Sequence, residues 1–300
     1  MYSISQSNSL FAEFKKLTRI TVEGVNFFLL FLKKQRFYFR EPFAINFAFS
    51  KIEKSDGLTS AGKVWLVGFG PGDPELLTIK GYKLILKADI IFYDDLLNKD
   101  FLLKFQAQKV YVGKRKGNHS IEQSEINKLL FEAAISGKTV IRLKGGDPML
   151  FAHGGEEIEY LEQRHIEVGV VPGITAALAA AAFTHIPLTH RGISSSVSFI
   201  TGHTNRDLNV PLSGTLVYYM GASNLRNIAE AAVTKGWLPD TPVLLVYNVS
   251  GNDQEEYYTT LQKAIDTPGN YKTPLIIIIG EVVRLKQNRT VRNINHLSSN

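Results

Sequence analysis

The chain has 300 residues, 44% of them hydrophobic and 21% charged, the composition of a soluble globular protein, which excludes a disordered or supercharged chain. The 34 Lys and Arg exceed the 28 Asp and Glu by a formal charge of +6, too little to establish nucleic-acid binding before the excess is located. Cysteine is absent, which removes disulfides, thiolate chemistry and every cysteine-ligated zinc or iron–sulfur centre.

Residues 1–60 differ from the rest. They carry nine Lys and Arg, five Asp and Glu, and twelve aromatics, ten of them Phe. The longest apolar run there is six residues, Phe27 to Leu32, whereas a membrane span needs about 20. The run also lies too late for a secretory signal, with no small-residue cleavage site soon after it. An organelle-targeting extension, a membrane-surface or partner-binding helix, a leader upstream of the true start and an extra element packed loosely on the body all remain open. Serine is not rich and acids are present, which weakens targeting and leaves the cytoplasm as the expected location. Ser50–Ala61 reads as a linker.

From Gly62 strands and helices alternate. Strands are expected at Val64–Val67, Asp89–Tyr93, Lys109–Val112, Thr139–Leu143 and Glu167–Val171. Helices are expected at Glu75–Lys87, Glu122–Ser136, Gly154–Arg164 and Ile174–Phe183. Short strands separated by helices of this length predict a mostly parallel α/β sheet. A second block has strand candidates at Ser196–Thr201, Thr215–Tyr219, Pro242–Tyr247 and Leu275–Ile279. Its helices are Asn224–Lys235 and Tyr257–Ile265. Pro187 lies in the segment that punctuates the blocks. The expected domains are therefore 61–187 and 188–290, after an N-terminal extension of 1–60 and before a tail of 291–300.

Glycine loops follow the strands. Gly68-Phe69-Gly70-Pro71-Gly72-Asp73-Pro74 begins like a dinucleotide fingerprint but has Asp73 at the last glycine position, and its two prolines remove amide donors. A small nucleoside or carboxylate ligand suits it better than a dinucleotide, and a plain tight turn competes. Arg142–Phe151 contains Gly145-Gly146-Asp147-Pro148, where Asp147 either orients a ligand or caps the following turn. Val171–Ala176 joins a strand to an alanine-rich helix, which lets a flat group come close or serves helix packing alone. Tyr218–Gly221 and Asn248–Gln254 leave strands in the second block, and Met220 suits either an adenine face or a core. In open α/β sheets ligands bind beyond the carboxyl ends of strands, so these loops point at one crevice.

These segments resemble the uroporphyrinogen-III C-methyltransferases of the tetrapyrrole methylase superfamily. The matching stretches include VGFGPGDPELLTIKG from Val67, YDDLL from Tyr93, VGKRKG from Val112, VIRLKGGDPMLFAHGGEE from Val140 and VVPGITAALAAAAFTHIPLTHRG from Val170. The resemblance runs from about Gly62 to Val283. It implies two α/β domains with S-adenosylmethionine in the cleft between them, S-adenosylhomocysteine as product, and a homodimer with no transmembrane span and no nucleic acid. The implied reaction is methylation of uroporphyrinogen III at C2 and C7 to precorrin-2, which leads to sirohaem, cobalamin or haem d1. Another precorrin methyltransferase, or a non-catalytic relative that binds cofactor or tetrapyrrole, is the alternative. With about sixty residues before the body, the expectation is the single-function form. The implied cofactor contacts are Pro71, Gly145, Gly146, Asp147, Leu150, Thr175, Ala176, Met220 and Val249. Asp94 falls at the proton-accepting position and Lys114 at the proton-donating one.

The chemistry needs no metal. In-line transfer from a sulfonium requires donor methyl and acceptor carbon near van der Waals contact. The pyrrole carbon attacks, and a carboxylate such as Asp94 stabilises the resulting cation or takes its proton. An acceptor rich in carboxylates calls for basic partners, and Arg115, His190 and Arg191 are the candidates, with Lys114 and Lys116 beside Arg115. Three positions depart from the family pattern. His153 replaces an arginine. Val249 replaces a glycine and would be strained if that site needs positive φ. Asp95 replaces an arginine and would repel an anionic acceptor unless it points away.

Overall fold

The computed structural model describes residues 61–286 except 96, 98, 114–121, 204–207, 209, 213 and 268. The expectations for residues 1–60, the tail 291–300, Lys114, Arg115 and Lys116 concern positions outside the described residues.

Strands flanked by helices on both faces are apolar on both faces. Val64–Gly70 (β1) fits this and lies with Val140–Gly145 (β4), which carries two buried charges on one face, at the centre of a parallel sheet with Ile90–Tyr93 (β2), Gln108–Tyr111 (β3) and Val168–Val171 (β5), in the order β3-β2-β4-β1-β5. Alternate residues serve two cores. Leu66, Phe92 and Val140 pack with Leu130 and Ala134 of helix α3 (Gln123–Ile135) and Leu161 of α4 (Gly154–Glu162). Val67, Ile91 and Leu143 pack on the other face with Ile85 of α1 (Ile79–Ile85) and Leu102 of α2 (Lys99–Leu102). The expected helix Glu75–Lys87 is divided. Pro74–Leu76 forms a 3-10 turn, and Thr78 opens α1 by accepting the Gly81 amide at 3.1 Å.

The second sheet is built differently. Val197–Thr201 (β6), Thr215–Tyr219 (β7), Pro242–Tyr247 (β8), Glu255–Thr260 (β9) and Leu275–Ile279 (β10) take the order β6-β7-β10-β8-β9. β6 and β7 are parallel, while the β7–β10, β10–β8 and β8–β9 pairings are antiparallel. β9 occupies residues expected to open a helix. Its aromatic and β-branched side chains pair as an edge strand, and the helix (α7, Leu261–Asp266) begins only at Leu261. One face of this sheet packs on α7 and α6 (Leu225–Thr234). The other packs on α5 (Ala176–Thr184), where Ala177 and Ala180 meet Val217, Leu244 and Ile278. The helix that leaves the first sheet thus covers the second, and its alanines let it lie close. The described residues fall in one compact unit. Among them no helix is long and apolar enough to cross a membrane.

Candidate functional site

The carboxyl ends of β1, β4 and β5 lie side by side, so their loops must share one crowded space. Glycine makes that possible. A Cβ on Gly173 would sit 2.1 Å from the Gly146 carbonyl oxygen and 2.8 Å from the Gly68 Cα, so the three backbones meet where side chains cannot fit. The Gly70 and Gly146 amides donate to each other's carbonyls at 3.2 and 2.7 Å. Asp147 then joins the second loop to the third. Its Oδ1 accepts the Met149 amide at 2.8 Å, which caps the turn, and its Oδ2 accepts the Gly173 amide at 2.9 Å.

The second sheet supplies the opposing loops. The Asp73 amide donates to Ser250 Oγ at 3.1 Å, which ties the Pro71 loop to the loop after β8. Tyr219, at the end of β7, places its hydroxyl 2.5 Å from Thr175 Oγ1, and the Ala177 amide donates to the same oxygen at 3.3 Å. Thr175 forms no side-chain cap on α5, so this tyrosine satisfies an otherwise open amide at the helix start. Burial raises the Tyr219 pKa. Its ring lies 5.1 Å from that of Phe151 and 6.1 Å from that of Phe199.

A cavity of about 460 Å³ opens beside these contacts. Met149, Phe151 and the start of α4 wall it from the first sheet, and Thr201, His203 and Met220 from the second. Met220 is 53% exposed and adopts φ 55°, a left-handed turn that presents its side chain at the rim. Of the nine expected cofactor residues Met220 is the one that lines this cavity; Asp147 is tied to it through the Met149 amide, and Thr175 through Tyr219, whose ring meets that of Phe151. His190 and Arg191 line a different cavity of about 450 Å³, formed by Thr189–Ser195.

The three departures resolve structurally. Val249 is not in the left-handed region. Its neighbours Asn248 (φ 43°) and Ser250 (φ 64°) carry the turn, and the Val249 side chain is buried in the core beneath α5. The strain anticipated at Val249 is therefore absent, and its side chain faces the core. The Tyr111 hydroxyl donates to Asp95, turning that carboxylate toward β3, whereas Asp94 faces Arg142 on β4. His153 precedes α4 in a left-handed conformation, with Nδ1 2.6 Å from Glu156 Oε2.

Sequence reasoning missed a buried charge cluster under the loops. Lys144 Nζ and Arg142 Nε lie 2.7 and 3.3 Å from the same oxygen, Glu157 Oε1. Gln123 Nε2 donates to that oxygen at 3.0 Å. Burial, and next the Arg142 charge, lower the Lys144 pKa. Arg142 also reaches Asp94, with Nη2 3.6 Å from Oδ2. The signal was present in β4, where Arg142 and Lys144 stand two apart in an otherwise apolar strand.

A parallel sheet with glycine-packed loops at its carboxyl ends, beside a mixed sheet whose loops complete the cavity, defines a class of α/β proteins built on two sheets, each covered by helices on both faces. Residues 63–265 match the family of Tetrapyrrole (Corrin/Porphyrin) Methylases, and the chain belongs to it. It is 44% identical over 236 residues to the uroporphyrinogen-III C-methyltransferase of Methanocaldococcus jannaschii, covering 75% of this chain and 98% of that one. It is 45% identical over 240 residues to the siroheme synthase of Ruthia magnifica, covering 76% of this chain. The chain spans about half the length of the siroheme synthases it matches. The crystal structure of the Thermus thermophilus uroporphyrin-III C-methyl transferase complexed with S-adenyl homocysteine superposes with a TM-score of 0.66 at 36% identity. That match covers 75% of this chain and 94% of the other.

Proposed function

We propose that the protein methylates uroporphyrinogen III at C2 and C7, using S-adenosylmethionine, to give precorrin-2. The carrying observation is the cavity of about 460 Å³ walled by loops of both sheets. Its volume lies in the range of about 300–1,000 Å³ typical of small-ligand sites. Phe151 and Met220 offer it apolar surfaces for a flat base, and Gly154 and Gly155 at the start of α4 leave backbone on its wall. This donor set fits an adenosyl sulfonium. The similarity to the Methanocaldococcus protein over 98% of its length, and to the Thermus structure complexed with S-adenyl homocysteine, favours the same reading.

When bound, S-adenosylmethionine supplies a methyl group on a positively charged sulfur, and S-adenosylhomocysteine remains after transfer. Pro71, Gly145, Gly146, Asp147, Leu150, Thr175, Ala176 and Met220 hold it, and Val249 contributes backbone. The chain's own work is to hold the acceptor carbon in line and keep competing water out. Asp94, at the end of β2, accepts the one proton the macrocycle must lose for each methyl cation it gains; Lys114 is the proton donor of this reading, and any proton it gives the ring is matched by a further one lost from the ring to solvent. Arg115, His190 and Arg191 pair with acceptor carboxylates. Residues 61–187 and 188–290 are the two domains of this reading; each sheet has a core of its own, while α5, from the first span, packs against the second sheet. Exposed Leu178 and Phe183 on α5 support a homodimer.

The test is transfer of labelled methyl from S-adenosylmethionine, by the full chain, to uroporphyrinogen III and to other porphyrinogens. Two methyl groups gained by uroporphyrinogen III is the expected product. Methylation of another porphyrinogen alone would assign the protein to a different precorrin step, and cofactor binding without turnover on any of them would reject the enzymatic reading.

A further inference from the structure

We infer that Arg142 is a positioning residue that fixes the Asp94 carboxylate, and that buried Glu157 is the anchor that fixes Arg142. The inference rests on the proposed role of Asp94 as proton acceptor.

The geometry of the guanidinium carries it. Strand alternation puts Arg142 and Lys144 on the face of β4 that α3 and α4 cover. Both side chains are buried, at 5% and 3% exposure. Each guanidinium nitrogen of Arg142 has a partner. Nε lies 3.3 Å from Glu157 Oε1. Nη1 donates to the carbonyls of Leu143 at 3.0 Å and Phe92 at 3.5 Å. Nη2 lies 3.6 Å from Asp94 Oδ2. Phe92 precedes Asp94 by two residues on β2, so one planar group grips both the backbone that carries Asp94 and its carboxylate. A lysine in its place would be a single flexible point charge and could not keep these directions.

Glu157 holds the other end. Its side chain has no solvent exposure, and Oε1 takes Arg142, Lys144 and Gln123 together. Oε2 has no hydrogen-bond partner among the described residues. Among the described residues, two cations and two carboxylates balance in charge across the cluster. Buried ion pairs of this kind are poor sources of stability, because apolar residues of equal volume do as well or better. What such a cluster supplies is direction. Of its four charged side chains, Asp94 is the one that reaches solvent appreciably, at 26% exposure, and it does so at the carboxyl end of β2 where ligands bind in such sheets. The cluster is rigid within and opens at the group proposed to meet the substrate.

The experiment is a double-mutant cycle on the full chain, with steady-state methylation of uroporphyrinogen III, S-adenosylhomocysteine affinity by calorimetry and melting temperature read together. Arg142→Lys is expected to lower kcat about 10- to 100-fold, the effect of a small misplacement, while KM and cofactor affinity stay within about twofold. In an Asp94→Asn background the same change should cost almost nothing further in kcat. Glu157→Gln, of the same shape without the charge, should behave alike. Equal losses in both backgrounds would overturn the inference, as would failure of both single variants to fold, which would make the cluster a stability element. Should Asp94→Asn retain wild-type turnover, the proton-acceptor reading itself fails, an outcome distinct from additivity.

Discussion

Two adjacent tyrosines on β7 face opposite sides of the sheet, and removing their hydroxyls should move stability in opposite directions. Tyr219→Phe keeps the ring and its contacts with Phe151 and Phe199 but deletes the oxygen that serves Thr175 and the Ala177 amide. Each lost hydrogen bond is worth about 1 kcal/mol net, and the uncovered amide at the start of α5 is of the same order as a lost helix cap. The sum is about 2 kcal/mol. For a body of this size that lowers the melting temperature by roughly 4–8 °C. Tyr218 is fully buried against α6, and its hydroxyl has no hydrogen-bond partner among the described residues. A stranded buried hydroxyl costs about 1–3 kcal/mol, so Tyr218→Phe should leave stability unchanged or raise it by about 1 kcal/mol. Thermal and urea unfolding of both variants measure the two shifts. S-adenosylhomocysteine titration should show a loss for Tyr219→Phe alone, since Thr175 borders the proposed cofactor loops. Shifts of the same sign, or a Tyr219→Phe variant as stable as the parent, would refute the assigned hydrogen bonds.

Other perturbations follow from the same geometry. Gly173→Ala drives a methyl into the Gly146 carbonyl and the Gly68 backbone, which have nowhere to go, so the urea midpoint should drop by the equivalent of about 3 kcal/mol or more, with loss of cofactor binding. Val249→Gly should destabilise by about 2 kcal/mol through lost burial, the reverse of the gain expected had valine been strained there; chemical denaturation distinguishes the two. Ser250→Ala removes the acceptor of the Asp73 amide, and calorimetry should find cofactor affinity reduced about fivefold, equivalent to about 1 kcal/mol. Burial pushes the Tyr218 hydroxyl from its usual value near 10 up to about 12. Between those values the unfolded chain loses this proton first. Stability supplied by the protonated form is therefore complete below pH 10 and declines as the pH rises toward 12, by up to about 1.4 kcal/mol per pH unit. Tyr218→Phe should flatten that part of the curve in alkaline denaturation.

The strands were legible where a local pattern sufficed. β1, β8 and β10 are runs of apolar residues too short for helices and bounded by Gly or Pro, which leaves buried strand as the natural reading. Pairing direction in the second sheet was not legible, because β10 inserts between β7 and β8 and nothing local announces a partner so far along the chain. The Glu255–Thr260 strand was misread for a related reason. Its tyrosines and threonines favour an edge strand, but β8 must be present to pair with it.

The site divides along the same line. The glycines at 68, 146 and 173 were visible in sequence because close backbone approach admits no substitute, and Asp147 was visible because a carboxylate after two glycines caps a turn. Whether Val249 is strained was not legible, because backbone strain belongs to a φ angle and the turn could place it on either neighbour; Asn248 and Ser250 take it. The hydroxyl of Tyr219 and the carboxylate of Glu157 were invisible for a deeper reason. Arg142 and Lys144 can be recognised in sequence as two charges on one face of an apolar strand, and burial of that face demands a counter-ion. The demand says nothing about who meets it. Glu156 and Glu157 are adjacent, yet the first lies exposed beside His153 and the second carries the whole cluster, a choice made by one helical step of about 100° on α4. A charge in a strand therefore reveals that a partner exists, and the packing of the covering helix decides which residue it is.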